Sequence, residues 1–152
     1  MTRQEAFQRI ERANAEFEAA RFAVAEVWRK SRVDPTLLRS AASNVRPSHL
    51  RDCAGHLELT YLLRLFTEFE RILRSYWSAA RPSPRVRRTR MEILMQRVAG
   101  MNSIPGPVLA SANEVRENRN DFVHGSGVAH KLTFGESKSR LARFTSFLPR
   151  RW

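Results

Sequence analysis

Tyr61-Leu-Leu-Arg-Leu-Phe-Thr-Glu-Phe-Glu70-Arg-Ile-Leu-Arg74 decides the fold class. Its apolar residues return every three or four positions, the period of a helix face. Followed outward over about 49–79, the pattern resolves into two rows. Leu50, Cys53, Leu57, Tyr61, Leu65, Phe69, Ile72 and Tyr76 form one; Leu59, Leu62 or Leu63, Phe66, Leu73 and Trp77 form the other. Adjacent rows make a wide apolar surface, so the spacing predicts a long central helix buried over more than half its circumference. Ser48, after the turn Asn44-Val-Arg-Pro47, is placed to cap this helix, and Ala80-Arg-Pro82-Ser-Pro84 ends it.

The flanking segments read as further helices. Residues 3 to about 30 carry Phe7, Ile10, Phe17, Val24 and Trp28 at helical spacing among Glu and Arg. Asp34-Pro35 is a cap followed by proline at the first helical position, which predicts a short helix over 35–42. A helix over about 88–100 carries Met91, Leu94, Met95 and Val98 and is expected to be broken by Gly100, Pro105, Gly106 and Pro107. Another runs over about 107–123, ahead of Gly125. Thr133-Phe-Gly-Glu136 has capping-box spacing and introduces a last helix with Leu141, Phe144, Phe147 and Leu148. Lys131-Leu-Thr-Phe134 is the one stretch that resembles a strand, and it is short. The expected architecture is all-α: residues 1–152 as one helical bundle of five or six helices.

A chain of 152 residues, 42% apolar with nine Phe and three Trp, suffices for one domain with its own core. Charge is the outlier. Twenty-seven basic residues face 15 acidic ones, a net +12, and all but Lys30, Lys131 and Lys138 of the basic ones are arginine. Guanidinium forks match phosphate oxygens, so the balance points to a polyanion, with nucleic acid first. The lone Cys53 rules out an internal disulfide framework and is expected to be an inert core residue. No window approaches a membrane span, the N-terminus carries no hydrophobic signal region, and a cytoplasmic setting is expected. No phosphate-cradling glycine motif or nucleophile elbow is present. His49, His56 and Asp52 lack the Cys or His pairing of a zinc site, so neither metal nor cofactor is expected.

Three features carry candidate chemistry. Arg85-Val-Arg87-Arg88-Thr-Arg90 is a dense basic segment suited to an RNA backbone, with Arg116 as a further cation; a solvated helix start is the plain reading. Arg119 interrupts the apolar row Val108, Ala112, Val115, Phe122, where a charge needs a partner or a ligand. Glu70, among Leu63, Phe66, Leu73 and Trp77, is the expected buried partner for Arg119 or Asn120. Glu68, beside Arg64 and Arg71, reads as a surface or local salt-bridge residue. Around Arg119 the chain reads Arg119-Asn-Asp-Phe-Val-His124. Asn120 and His124 are four apart and share a face, and the negative end of the helix dipole favours a protonated His124.

Arg119-Asn120-x-x-x-His124 closing a helix resembles the signature of the HEPN superfamily (higher-eukaryote and prokaryote nucleotide-binding domains). The segment ending in Phe69-Glu70 resembles that family's core helix. The resemblance covers roughly 48–148. It implies a homodimer in which two such motifs face each other across a cleft. It also implies a metal-independent endoribonuclease. Arg119 would bind the scissile phosphate, Asn120 would orient phosphate or imidazole, and His124 would move a proton, with Glu70 supporting the site. RNA would be cut through its 2′-hydroxyl, and DNA spared. A defence or toxin–antitoxin setting, with a cognate antitoxin or other partner protein, is the family's usual context. Two other readings stand beside this one: a module of the same fold that grips RNA or a nucleotide without cutting, and a structural helical dimer whose motif is an interface ion pair.

Overall fold

The computed structural model describes residues 1–34, 36–38, 45–81, 89–124 and 132–152, without the side chain of His124. Among the described residues five helices follow in order: α1 (Arg3–Val33), α2 (Pro47–Ala80), α3 (Met91–Met101), α4 (Gly106–His124) and α5 (Phe134–Ser146). No strand occurs among them; an isolated antiparallel bridge pairs Thr2 with Arg151. Leu132 sits in a bend and Phe134 opens α5, so the strand-like stretch is not a strand. The expected helix over 35–42 lies mostly outside the described residues; Leu38 is buried. No helix is long and apolar enough to cross a membrane.

The central helix forms as its spacing predicts. Leu65, Phe66, Phe69, Ile72 and Leu73 are all buried and hold the middle of one core. Ile10 and Ala13 of α1, Leu94 and Met95 of α3, Ala112 and Val115 of α4, and Leu141 and Phe144 of α5 close around them. Phe69 meets Phe144 edge to face at 5.5 Å, and Phe17 lies 4.4 Å from Phe134, geometries that add to the burial itself.

The helix ends follow local chemistry. Pro47 rather than Ser48 opens α2, and the Arg46 N–H donates to His49 Nδ1 over 3.3 Å. Gly100 does not stop α3. The helix runs on through Met101, and the stop follows where Ser103 takes φ 51° and the Ile104 N–H returns to the Ala99 carbonyl over 3.0 Å, a Schellman closure. Thr133 and Glu136 form the expected capping box, and Glu58 of α2 also accepts the Phe134 N–H at 2.7 Å. Thr2 and Glu5 cap α1 in the same way.

The two long helices outrun the core. At 1.5 Å per residue, the 31 residues of α1 and 34 of α2 reach about 46 and 51 Å. Phe17 and Leu62 mark where their continuous apolar burial stops. Beyond them an open groove of about 430 Å³ is lined by Val24, Trp28, Leu50 and Leu57. Cys53, expected in the core, is therefore exposed: it lies on this overhanging length of α2 and is not among the residues that line the groove with α1.

Candidate active site

Arg119 stands one helical turn from the end of α4, and α2 supplies its platform. Its guanidinium carbon lies 5.7 Å from the centroid of the Phe66 ring, a cation–π contact. Nη1 donates to Asn120 Oδ1 over 2.9 Å. Nε is buried and meets no acceptor among the described residues. A buried donor left unpaired costs about 1–3 kcal/mol, so the fold carries Arg119 at some expense. Val115, Ala112 and Val108, one turn after another behind it, are fully packed. The row therefore ends as the spacing predicts, with a half-buried cation where the next apolar residue would be.

Arg119 and Asn120 are thus brought into contact. His124 is the last residue of α4, and its side chain lies outside the described residues. The neighbouring Val123 is half exposed.

Glu70 does not partner this pair. Its Oε1 accepts from Nη2 and Nε of Arg74 at 2.6 and 2.8 Å, and its side chain keeps 32% of its exposure. Arg74 Nη2 reaches on to the Thr89 carbonyl at 3.2 Å. The expectation of a buried Glu70 facing Arg119 is corrected: an arginine one turn along the same helix captures the carboxylate first.

The buried carboxylate is Glu68, whose side chain retains 4% of its exposure. Arg9 of α1 donates to it over 3.1 Å, Arg71 over 2.8 Å, and Arg64 closes the cluster. Burial pushes the Glu68 carboxyl up, but hydrogen bonds from Arg64 and Arg9 and the Arg64 and Arg71 charges outweigh it. The group is held below its ordinary pKa. The local ion pairing of Glu68 was legible in sequence; its burial was not. One sequence signal favoured it: Glu68 lies three residues after Leu65 and four before Ile72, inside the row that α1 covers.

The expected nucleic-acid residues fare unequally. Arg85, Arg87 and Arg88 lie outside the described residues. Arg90 is exposed at the entry to α3. Arg116 is not a free cation: it is mostly covered, donates to Asn113 over 3.3 Å, and faces Glu117 at 3.4 Å and Glu92 at 4.0 Å.

A second depression on α4 is lined by Glu114, Glu117, Asn118 and Asp121, with Leu132. Its acidic wall disfavours a polyanion there. Asn118, which the sequence did not single out, is buried in it and reaches the Leu132 carbonyl at 3.5 Å.

Comparison with protein-family models, curated proteins and solved structures finds no match to this chain.

Proposed function

We propose that this chain is a metal-independent endoribonuclease acting through Arg119, Asn120 and His124 at a two-fold interface, as its resemblance to the HEPN superfamily implies. The observation that carries the reading is the state of Arg119: stacked on Phe66, joined to Asn120, and left with a buried Nε that no acceptor among the described residues meets. A guanidinium so held is pre-oriented toward one side, as stabilising charge on a phosphorane requires. His124 would take the proton of the ribose 2′-hydroxyl or give one to the leaving 5′-oxygen, its counterpart across the two-fold making the other transfer. The 2′-oxygen bonds to phosphorus, the P–O5′ bond breaks, and a 2′,3′-cyclic phosphate and a 5′-hydroxyl result.

Pairing of two chains would bring the two motifs together, and half-exposed Val123 beside His124 offers apolar surface for that contact. A defence or toxin–antitoxin role with a cognate antitoxin belongs to the same reading.

The test is incubation of purified protein with mixed RNA and single-stranded DNA in EDTA, beside Arg119→Ala and His124→Ala, with sedimentation to establish whether it is a dimer. Cleavage of RNA alone, lost in both folded variants, supports the proposal. Binding without cleavage, unchanged in the variants, overturns it in favour of a non-catalytic RNA-binding module.

A further inference from the structure

We propose that the cleft where α2 and α3 end is a phosphate-binding subsite for single-stranded RNA, built by Arg81 and Arg97 around Trp77. Their guanidinium carbons lie 5.6 and 5.9 Å from the centroid of the same indole ring. Trp77 is itself buried, so the ring is a fixed floor rather than a mobile surface side chain. Gly100 and Met101 complete an open depression of about 470 Å³.

The charge arrangement calls for an anion. Two guanidiniums converge on one ring, and among the described residues no carboxylate pairs with either. Several arginines on α1 and α2 are instead held by carboxylates of their own helix. Arg29 is paired with Glu26, Arg64 and Arg71 with Glu68, and Arg74 with Glu70. At Trp77 the ring's negative face holds the two cations in place and leaves their N–H edges for a ligand. A phosphate has the oxygens to bridge both forks. The covered indole leaves little room for a base to stack, so backbone phosphate is the group recognised.

A polymer fits better than a mononucleotide. Trp77 is eleven residues beyond Phe66, which is three helical turns and about 20° of rotation, or about 16 Å along α2 on nearly the same face. Both rings carry arginine: Arg119 on one, Arg81 and Arg97 on the other. A strand with repeated phosphates reaches from one platform to the other, and the net charge of +12 favours its approach. The proposal places RNA on this surface and does not require that it be cut.

The experiment uses a labelled single-stranded 2′-O-methyl oligoribonucleotide, which lacks the internal nucleophile, titrated in EDTA over a salt series. Wild type is compared with Arg81→Gln/Arg97→Gln and with Gly100→Glu. A Cβ at Gly100 meets nothing within 4 Å, so Gly100→Glu puts a carboxylate beside the cations without disturbing the core. Both variants should bind at least tenfold more weakly. The double variant should lose about 1.4 from its log–log salt slope, two phosphate contacts at about 0.7 each. Unchanged affinity and slope in a folded double variant, or no binding by wild type, overturns the subsite. If the double variant fails to fold, the Gly100→Glu result decides alone. Loss of binding to phosphatidylserine vesicles, with RNA binding intact, assigns the cleft to a membrane surface and overturns the proposal as well. Displacement by a mononucleotide as effective as the oligomer would remove the polymer from it. Absent cleavage of natural RNA with these binding results intact would count against the ribonuclease reading alone.

Discussion

Arg9 of α1 donates to Glu68 of α2 over 3.1 Å, joining residues 59 positions apart in the chain. The contact locks the two longest helices at one height and buries the carboxylate between them. Arg64 and Arg71 approach the same carboxylate from its own helix. All three arginines keep solvent contact, with side-chain exposures of 46% for Arg9, 36% for Arg64 and 61% for Arg71. Water therefore shares the desolvation cost that a fully enclosed pair would bear alone.

Glu68→Gln, which keeps the shape and removes the charge, should destabilise the fold by about 1–3 kcal/mol. Urea unfolding followed by circular dichroism reads this directly. A double-mutant cycle with Arg9→Gln should return a coupling of about 1 kcal/mol, and zero coupling would detach Arg9 from the cluster.

The same carboxylate sets a pH dependence. Its native pKa lies below the unfolded value of about 4.3, so the folded state binds its proton less readily than the unfolded chain does. The stability it confers is present in full above that unfolded value. It is lost as the pH falls through the native pKa. The gap in urea midpoint between wild type and Glu68→Gln should narrow in strong acid, and a gap unchanged from neutral pH to acid would refute the assignment.

Glu70→Ala should be mild. Its partner Arg74 lies on the same helix, both are partly exposed, and Arg74 keeps the Thr89 carbonyl. A loss under about 1 kcal/mol is expected, in the range of solvent-accessible pairs. A loss several times larger would show that Glu70 supports something beyond its own helix.

Arg119→Met separates function from stability. Methionine preserves an unbranched stem over Phe66 and removes the buried Nε that no acceptor among the described residues meets. Stability should hold within about 1 kcal/mol or rise, as when a functional residue strains its fold. RNA cleavage by this variant, and by His124→Ala, should fall on the order of 10²-fold or more. Full activity in either would end the catalytic assignment.

Helix periodicity assigned this chain its architecture before any contact was known. Two apolar rows over about 49–79 and a Thr–Glu capping pair ahead of α5 are local patterns, readable because a residue's face on its own helix depends only on its position. Arg119 was legible for the same reason, as a cation ending an apolar row. What lies opposite a face is not a local property. Glu70 has the apolar neighbours on its helix and Glu68 has Arg64 and Arg71, yet the arrival of Arg9 from α1 shows that Glu68 is the buried one. Cys53 has the spacing of a core residue but lies on the length of α2 that outruns the core, off the side that faces α1. The pairing of Arg119 with Phe66, and of Arg81 and Arg97 with Trp77, likewise depends on how α3 and α4 lie against α2. Burial and partnership arise between elements, and the spacing within one helix carries no information about the surface that packs upon it.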